Sequence, residues 1–223
     1  MSVSDHPEIS LVGGTGPLGR GLSLRLAAAG VGIKLGSREP ARARETAQQL
    51  NQLLPLGARP IEGVGNQDAT SGSNPVILTI PYQAMVSQLS SLPGLGNGRV
   101  VVSTAVPMEF RSGAPTPIHP EAGSAAELVA SLCPTARVVA ALHTVAAGPL
   151  LRLQAELDED VLVAGDDPEA KSEVSAIISR IPGLRPVDAG GLDSSSACEG
   201  ITPLLLRLNR LHHAHTGIRI AGI

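Results

Sequence analysis

Residues 14–19 read Gly14-Thr15-Gly16-Pro17-Leu18-Gly19, a G-x-G-x-x-G pattern between a short apolar run (9–12) and a stretch where Leu18, Leu22 and Leu26 recur at helical spacing. Few local patterns restrict a fold more tightly. The first glycine permits a tight turn, the second lets the backbone approach a pyrophosphate, and the third allows close helix–strand packing. The helix that follows presents its free N–H groups to phosphate. This arrangement predicts strand, turn and helix in that order, the opening of a dinucleotide-binding unit.

The rest of the chain continues the alternation. Residues 31–35 read as a second strand and 41–54 as a polar-faced helix ended by Pro55. Residues 75–80 ("PVILTI") and 99–103 ("RVVVS") are buried-strand candidates, with a helical segment at 83–91 between them. Residues 108–123 hold three prolines and little periodicity, and are expected to form a long loop. Ser124 and Glu127 form a capping box for a helix to Leu132. Strands are expected at 137–142, 160–164 and 185–188, and Asp166 or Asp167 with Pro168 opens a helix to Ile181. Ser196 and Glu199 suggest a second capping box before "ITPLLLRLNRL", whose Leu204, Leu208 and Leu211 share a face. There Pro203 either kinks the helix or follows Thr202 as the true N-cap. The expected class is α/β, a Rossmann-like doubly wound parallel sheet with a small C-terminal α/β portion ending in an apolar helix.

Composition narrows the function. With one Tyr, one Phe and no Trp in 223 residues, the core is expected to consist of Leu, Val, Ile and Ala. A net charge of −3 lacks the basic footprint of a nucleic-acid binder. Cys133 and Cys198 lack metal-ligand spacing and read as reduced thiols of a cytoplasmic protein. The N-terminus carries no signal-peptide pattern, and no apolar run approaches the ~20 residues needed to span a membrane. His212, His213 and His215 read as solvated rather than metal-binding, so no metal is expected.

After the second strand, where an acidic residue would hold the ribose of NAD, the chain has "GSREPAR". Ser37 offers a hydroxyl and Arg38 a planar cation suited to phosphate, with Arg42 one helical turn further on. NADP is therefore expected over NAD. Lys34 and Lys171, the two lysines of the chain, sit where neither reads as a catalytic lysine. His143 stands at the end of a strand in "ALHT", and carboxyl ends of strands face the ligand crevice in such sheets.

Taken together, "GGTGPLGRGLSLRLAAAG…LGSR", "ILTIPY", "VVSTAVPM", "ALHTVAA", "AGDDPEAK", "IPGLRPVDAG" and "EGITPLLLRLNR" resemble the F420-dependent NADP oxidoreductases over nearly the whole chain. The resemblance implies an NADP-binding domain (1–143) and a smaller C-terminal portion (144–223) that completes a cleft for the 8-hydroxy-5-deazaflavin F420. It implies NADP contacts at Thr15, Ser37, Arg38 and Arg42. Ile80, Pro81, Val106 and Pro107 would lie near the nicotinamide and deazaflavin. His143, Ala147, Thr202 and Leu206 would shape the deazaflavin side. A deazaflavin has carbon where a flavin has N5 and carries a hydride, so the protein's task becomes positioning, with His143 an orienting contact and no residue a certain catalyst. Ala146 departs from the proline that relatives often carry there. Arg152, Arg207, Arg210 and Arg219 are candidates for the acidic tail of F420, and a homodimer is implied. The alternative is an NADPH-dependent reductase of a small imine or carbonyl, with His143 or Tyr82 as the proton source. A further alternative is a non-catalytic NADPH-sensing module.

Overall fold

The computed structural model describes residues 7–72 and 75–223, so the leader reading at the N-terminus lies largely outside the described residues. The chain order is β1 (Glu8–Val12), α1 (Pro17–Ala28), β2 (Gly32–Ser37), α2 (Pro40–Asn51), β3 (Ile61–Gly65) and α3 (Asn66–Ala69). Then follow β4 (Val76–Leu78), α4 (Met85–Leu89), β5 (Val100–Ser103), β6 (Met108–Arg111), β7 (Ala114–Pro117) and α5 (Ala125–Leu132). The last elements are β8 (Arg137–Ala140), α6 (Ala147–Leu150), β9 (Glu159–Val163), α7 (Pro168–Ile178), β10 (Leu184–Asp188) and α8 (Ser195–His212).

Six parallel strands form one sheet in the order β3-β2-β1-β4-β5-β8. The order reverses between β1 and β4, which opens a crevice at their carboxyl ends. Alternation within each strand sends side chains to two faces. Ile9, Leu11, Ile77, Val100, Val102 and Val139 join α1, α2 and α7 in one cluster. Val12, Val76, Leu78, Val101 and Val138 meet α4 and α5 on the other. Both clusters are aliphatic, as the composition requires.

β9 and β10 form a separate parallel pair, joined to the main sheet by a bridge between Ala140 and Ala164. The segment after α8 folds back along β9, where the buried Asp160 carboxylate receives Arg185, Arg219 and the Ile220 N–H. Bonding to Arg185 holds that carboxyl well below the usual carboxylate range. Among the described residues, no helix is long and apolar enough to cross a membrane.

Four expectations change. No element was anticipated between Pro55 and Pro75, yet β3 forms the sheet edge there. Its Gly63 weakens the strand signal because α2 packs so closely that a Cβ would strike the Ala43 carbonyl. Second, the expected loop at 108–123 contains the antiparallel hairpin β6–β7. Ser112 and Gly113 both take positive φ (49° and 77°), the geometry of a two-residue hairpin turn, while Pro115 and Pro117 mask the strand pattern.

Third, Glu199 caps no turn of its own helix. Its two carboxylate oxygens accept the Ala125 and Ala126 N–H groups, at 2.8 and 3.1 Å, and so cap α5. Ser124 caps the same end through Glu127 N–H, and its hydroxyl meets that of Ser195 at 2.7 Å. Fourth, α8 runs unbroken through Pro203, so Thr202 is not an N-cap. The Asp167 cap of α7 stands as expected, accepting the Ala170 N–H at 2.8 Å.

Candidate functional site

The glycine turn after β1 is built as its spacing requires. Gly14 N–H donates to the Gly36 carbonyl at 2.8 Å, tying the turn to β2. A Cβ on Gly19 would lie 2.5 Å from the Gly14 Cα, so only glycine lets α1 approach the turn. A Cβ on Gly16, in contrast, would meet nothing closer than the Gly13 carbonyl oxygen at 3.7 Å. Gly16 therefore keeps space open rather than permitting contact. The first backbone bond of α1 joins Arg20 N–H to Gly16 O at 2.9 Å, which leaves the N–H groups of Leu18 and Gly19 for an anion. Gly16 provides no side-chain cap and Pro17 occupies the first turn. Thr15 is half-buried beside them.

At the end of β2, Ser37 is buried and its hydroxyl accepts the Glu39 N–H at 3.2 Å. Arg38 and Arg42 are exposed, and among the described residues neither side chain has a hydrogen bond or ion pair. An open groove of about 450 Å³ adjoins Arg38, lined also by Ser37, Asn66, Ser87, Gln88 and Ser91; Arg42 stands outside its lining, one helical turn along α2. A guanidinium group beside a hydroxyl, with a second guanidinium one helical turn away, suits a phosphate ester.

Across the switch point lies a second cavity, of about 560 Å³, at the carboxyl ends of β4 and β5. Leu18, Ile80, Pro81, Tyr82, Val106 and Phe110 line it. Ile80 also touches the glycine turn, since a Cβ on Gly13 would lie 2.6 Å from its Cγ2. Pro107 lies behind this wall, where its carbonyl accepts the Ile118 N–H at 2.8 Å.

His143, Ala147, Thr202 and Leu206 fall outside that lining; of the four, the structure joins His143 and Thr202. Leu142, buried, takes a φ of +66°, an uncommon conformation for a bulky residue, and turns the chain sharply after β8. His143 follows, 8% exposed, with Nε2 buried and unpartnered among the described residues. Burial pushes its pKa down to about 4 against the opposing effect of a hydrogen bond to the Ser103 backbone, so the imidazole is neutral near pH 7. The Thr202 hydroxyl donates to the His143 carbonyl at 3.0 Å, and Leu206 is half-buried one turn along α8. Ala147 opens α6 against α1, where Arg25 donates to the carbonyls of Pro149, Leu150, Arg152 and Ala155.

Most arginines proposed for an acidic tail are engaged elsewhere. Arg207 and Arg210 donate to the hairpin carbonyls of Pro115 and Gly113, and Arg219 pairs with Asp158 and Asp160. Lys34 pairs with Glu8 and Lys171 with Asp188, in keeping with structural roles. The hairpin residues Met108, Glu109 and Phe110 line the cavity but were missed by sequence reasoning; the Ser112-Gly113 turn was the available signal. Among the described residues, no group of three His, Cys, Asp or Glu side chains is placed to hold a metal.

Comparison with known proteins bears on the family and the fold. The family described as "NADP oxidoreductase coenzyme F420-dependent" matches residues 8–107. The F420-dependent NADP reductase of Methanocaldococcus jannaschii is 38% identical, covering 97% of this chain and 99% of that protein. Its counterpart in Methanothermobacter marburgensis is 34% identical over the same shares of the two chains. A crystal structure from Arthrobacter sp. FB24, provisionally described as an F420-dependent NADP reductase, superposes with a TM-score of 0.80 at 26% identity, covering 96% of this chain and 98% of that one. With end-to-end similarity of sequence and the same architecture, the chain belongs to the F420-dependent NADP oxidoreductase family.

Proposed function

We propose that this protein is an NADPH:F420 oxidoreductase, passing a hydride reversibly between NADP(H) and coenzyme F420. The observation that carries this reading is the full-length likeness to proteins named F420-dependent NADP reductase. The structure fits an NADP ligand independently: an uncapped helix N-terminus faces a gap kept by Gly16, with two unpaired arginines beyond Ser37. When bound, the two coenzymes supply the hydride chemistry themselves.

In this reading Gly14–Gly19 receives the pyrophosphate, with Thr15, Pro17 and Leu18 at its edge. Ser37, Arg38 and Arg42 hold the 2′-phosphate. Ile80, Pro81, Val106 and Pro107 frame the nicotinamide and exclude water from the reacting face. His143, Ala147, Thr202 and Leu206 shape the deazaflavin side. A neutral, buried His143 is a poor proton donor, which fits hydride transfer by positioning and leaves the imine or carbonyl alternative with Tyr82 alone as a proton source.

The division at residue 143 is kept as a functional one, since α7 shares a hydrophobic cluster with α1 and the sheet. We also place the protein in the cytoplasm, in keeping with its two free, buried cysteines, and assign it as a homodimer. Exposed Leu204 and Leu211 on α8 support a subunit interface there. The test of function mixes the protein with NADPH and oxidised F420. Loss of the deazaflavin's visible absorbance in step with NADPH oxidation is expected; no loss, despite NADPH binding, would overturn the reading.

A further inference from the structure

The chain carries one tyrosine, one phenylalanine and no tryptophan, and both aromatic residues line the same cavity. The core is made without them. Phe110 is 65% exposed on β6, while Tyr82 is half-buried in the turn after β4 and packs against the cluster containing Val12 and Ile80. An exposed phenyl ring forfeits the hydrophobic free energy that it regains when a flat apolar surface covers it.

The two supports are braced. The Gln83 side-chain amide donates to the Met108 carbonyl at 2.8 Å, tying Tyr82's turn to the hairpin. On the hairpin's other strand, Arg207 of α8 donates through Nε and Nη2 to the Pro115 carbonyl, at 3.2 and 3.1 Å. Pro115 is the residue directly opposite Phe110 in the β6–β7 register. Thus α8 secures the backbone facing Phe110, and Arg210 secures the turn at Gly113.

We propose that Phe110, with Tyr82, forms the stacking surface that sets affinity for the planar deazaflavin ring of F420, and that Arg207 is the positioning residue holding Phe110 there. This rests on the function proposed above. Leu18, Ile80, Pro81 and Val106, the residues assigned to the dinucleotide, line one part of this cavity, and Tyr82, Met108, Glu109 and Phe110 line another. Tyr82 and Phe110 stand on elements outside the dinucleotide motif, where the second coenzyme must enter. Stacking on an aromatic side chain favours a wide, flat heteroaromatic ring over the smaller nicotinamide.

The test measures binding of oxidised F420 by its fluorescence, of the tail-less deazaflavin riboside in the same way, and of NADPH separately. Phe110→Ala is expected to weaken F420 and the tail-less ring by the same factor, about tenfold, the size of an aromatic stacking contribution. NADPH affinity should stay within about twofold, and Phe110→Trp should restore ring binding. Arg207→Met should reproduce part of the loss and Arg207→Lys recover it. Phe110 is exposed, so folding of these variants is checked simply by their thermal transition. Unchanged ring affinity in Phe110→Ala would overturn the proposal while leaving the function intact. So would a loss confined to the tailed coenzyme, or one that light scattering traces to dissociation of subunits. Failure of the wild-type protein to bleach F420 would instead overturn the function.

Discussion

The Thr202 hydroxyl donates to the His143 carbonyl at 3.0 Å, joining α8 to the chain just beyond β8 across 59 residues of sequence. Thr202→Val keeps the side-chain shape and removes this bond, leaving a buried carbonyl unpaired at about 1 kcal/mol. The expected outcome is a roughly fivefold fall in kcat/KM for F420 with NADPH affinity unchanged. Steady-state kinetics with each coenzyme varied in turn checks it.

The exposed Arg38, unpartnered among the described residues, gives the NADP preference a direct test. Arg38→Ala should raise the Kd for NADPH about 10- to 100-fold, the range of a charge-assisted bond, while NADH binding changes little. Arg42→Ala should act in the same direction. Equal losses for both dinucleotides would show that neither arginine meets the 2′-phosphate.

Two glycines of one motif should fail differently. Gly16→Ala places a Cβ where its nearest atom is 3.7 Å away, so thermal stability should hold while NADPH binding is lost. Gly19→Ala forces its Cβ to 2.5 Å from the Gly14 Cα, so stability and binding should fall together. Calorimetric unfolding alongside NADPH titration separates the two.

Burial of His143 predicts a pH dependence of stability. Its pKa drops from 6.5 to about 4 on folding, so between those values the unfolded chain binds the extra proton. The contribution is complete above pH 6.5 and is lost as pH falls toward 4, on the order of 3 kcal/mol. Unfolding free energies of wild type and His143→Gln across this window should diverge toward high pH. Parallel curves would contradict the burial.

Glu199 acts with the opposite sign. Burial raises its pKa from 4.5 to about 7, so the folded state holds the proton and this contribution to stability is lost as pH rises through that interval. Glu199→Gln should remove that slope. It should also cost about 1–3 kcal/mol, because an amide N–H₂ would replace one acceptor facing the Ala125 and Ala126 N–H groups. Denaturant titrations at pH 5 and pH 8 provide the comparison.

By itself, the amino-acid order determined what depends on near neighbours. The Gly14–Gly19 turn, the alternating strands and helices, the Ser124 and Asp167 caps and the Ser37-Arg38-Arg42 group all follow from spacing within a few residues, because turns, caps and helical faces are local. His143 was legible as a strand-end residue, but the burial of its Nε2, unpartnered among the described residues, comes with the left-handed turn at Leu142 and the tie of the His143 carbonyl to Thr202 of α8. β3 was hidden because Gly63 serves packing against α2 rather than strand propensity. The hairpin was hidden because its prolines suppress the strand pattern while its stability comes from Arg207 and Arg210, more than 90 residues away. Glu199 illustrates the same limit: local spacing assigned it to its own helix, and folding brought it to another. Only tertiary structure decides such pairings, since a buried charge or an unpaired backbone group takes whichever partner the packed chain brings within reach.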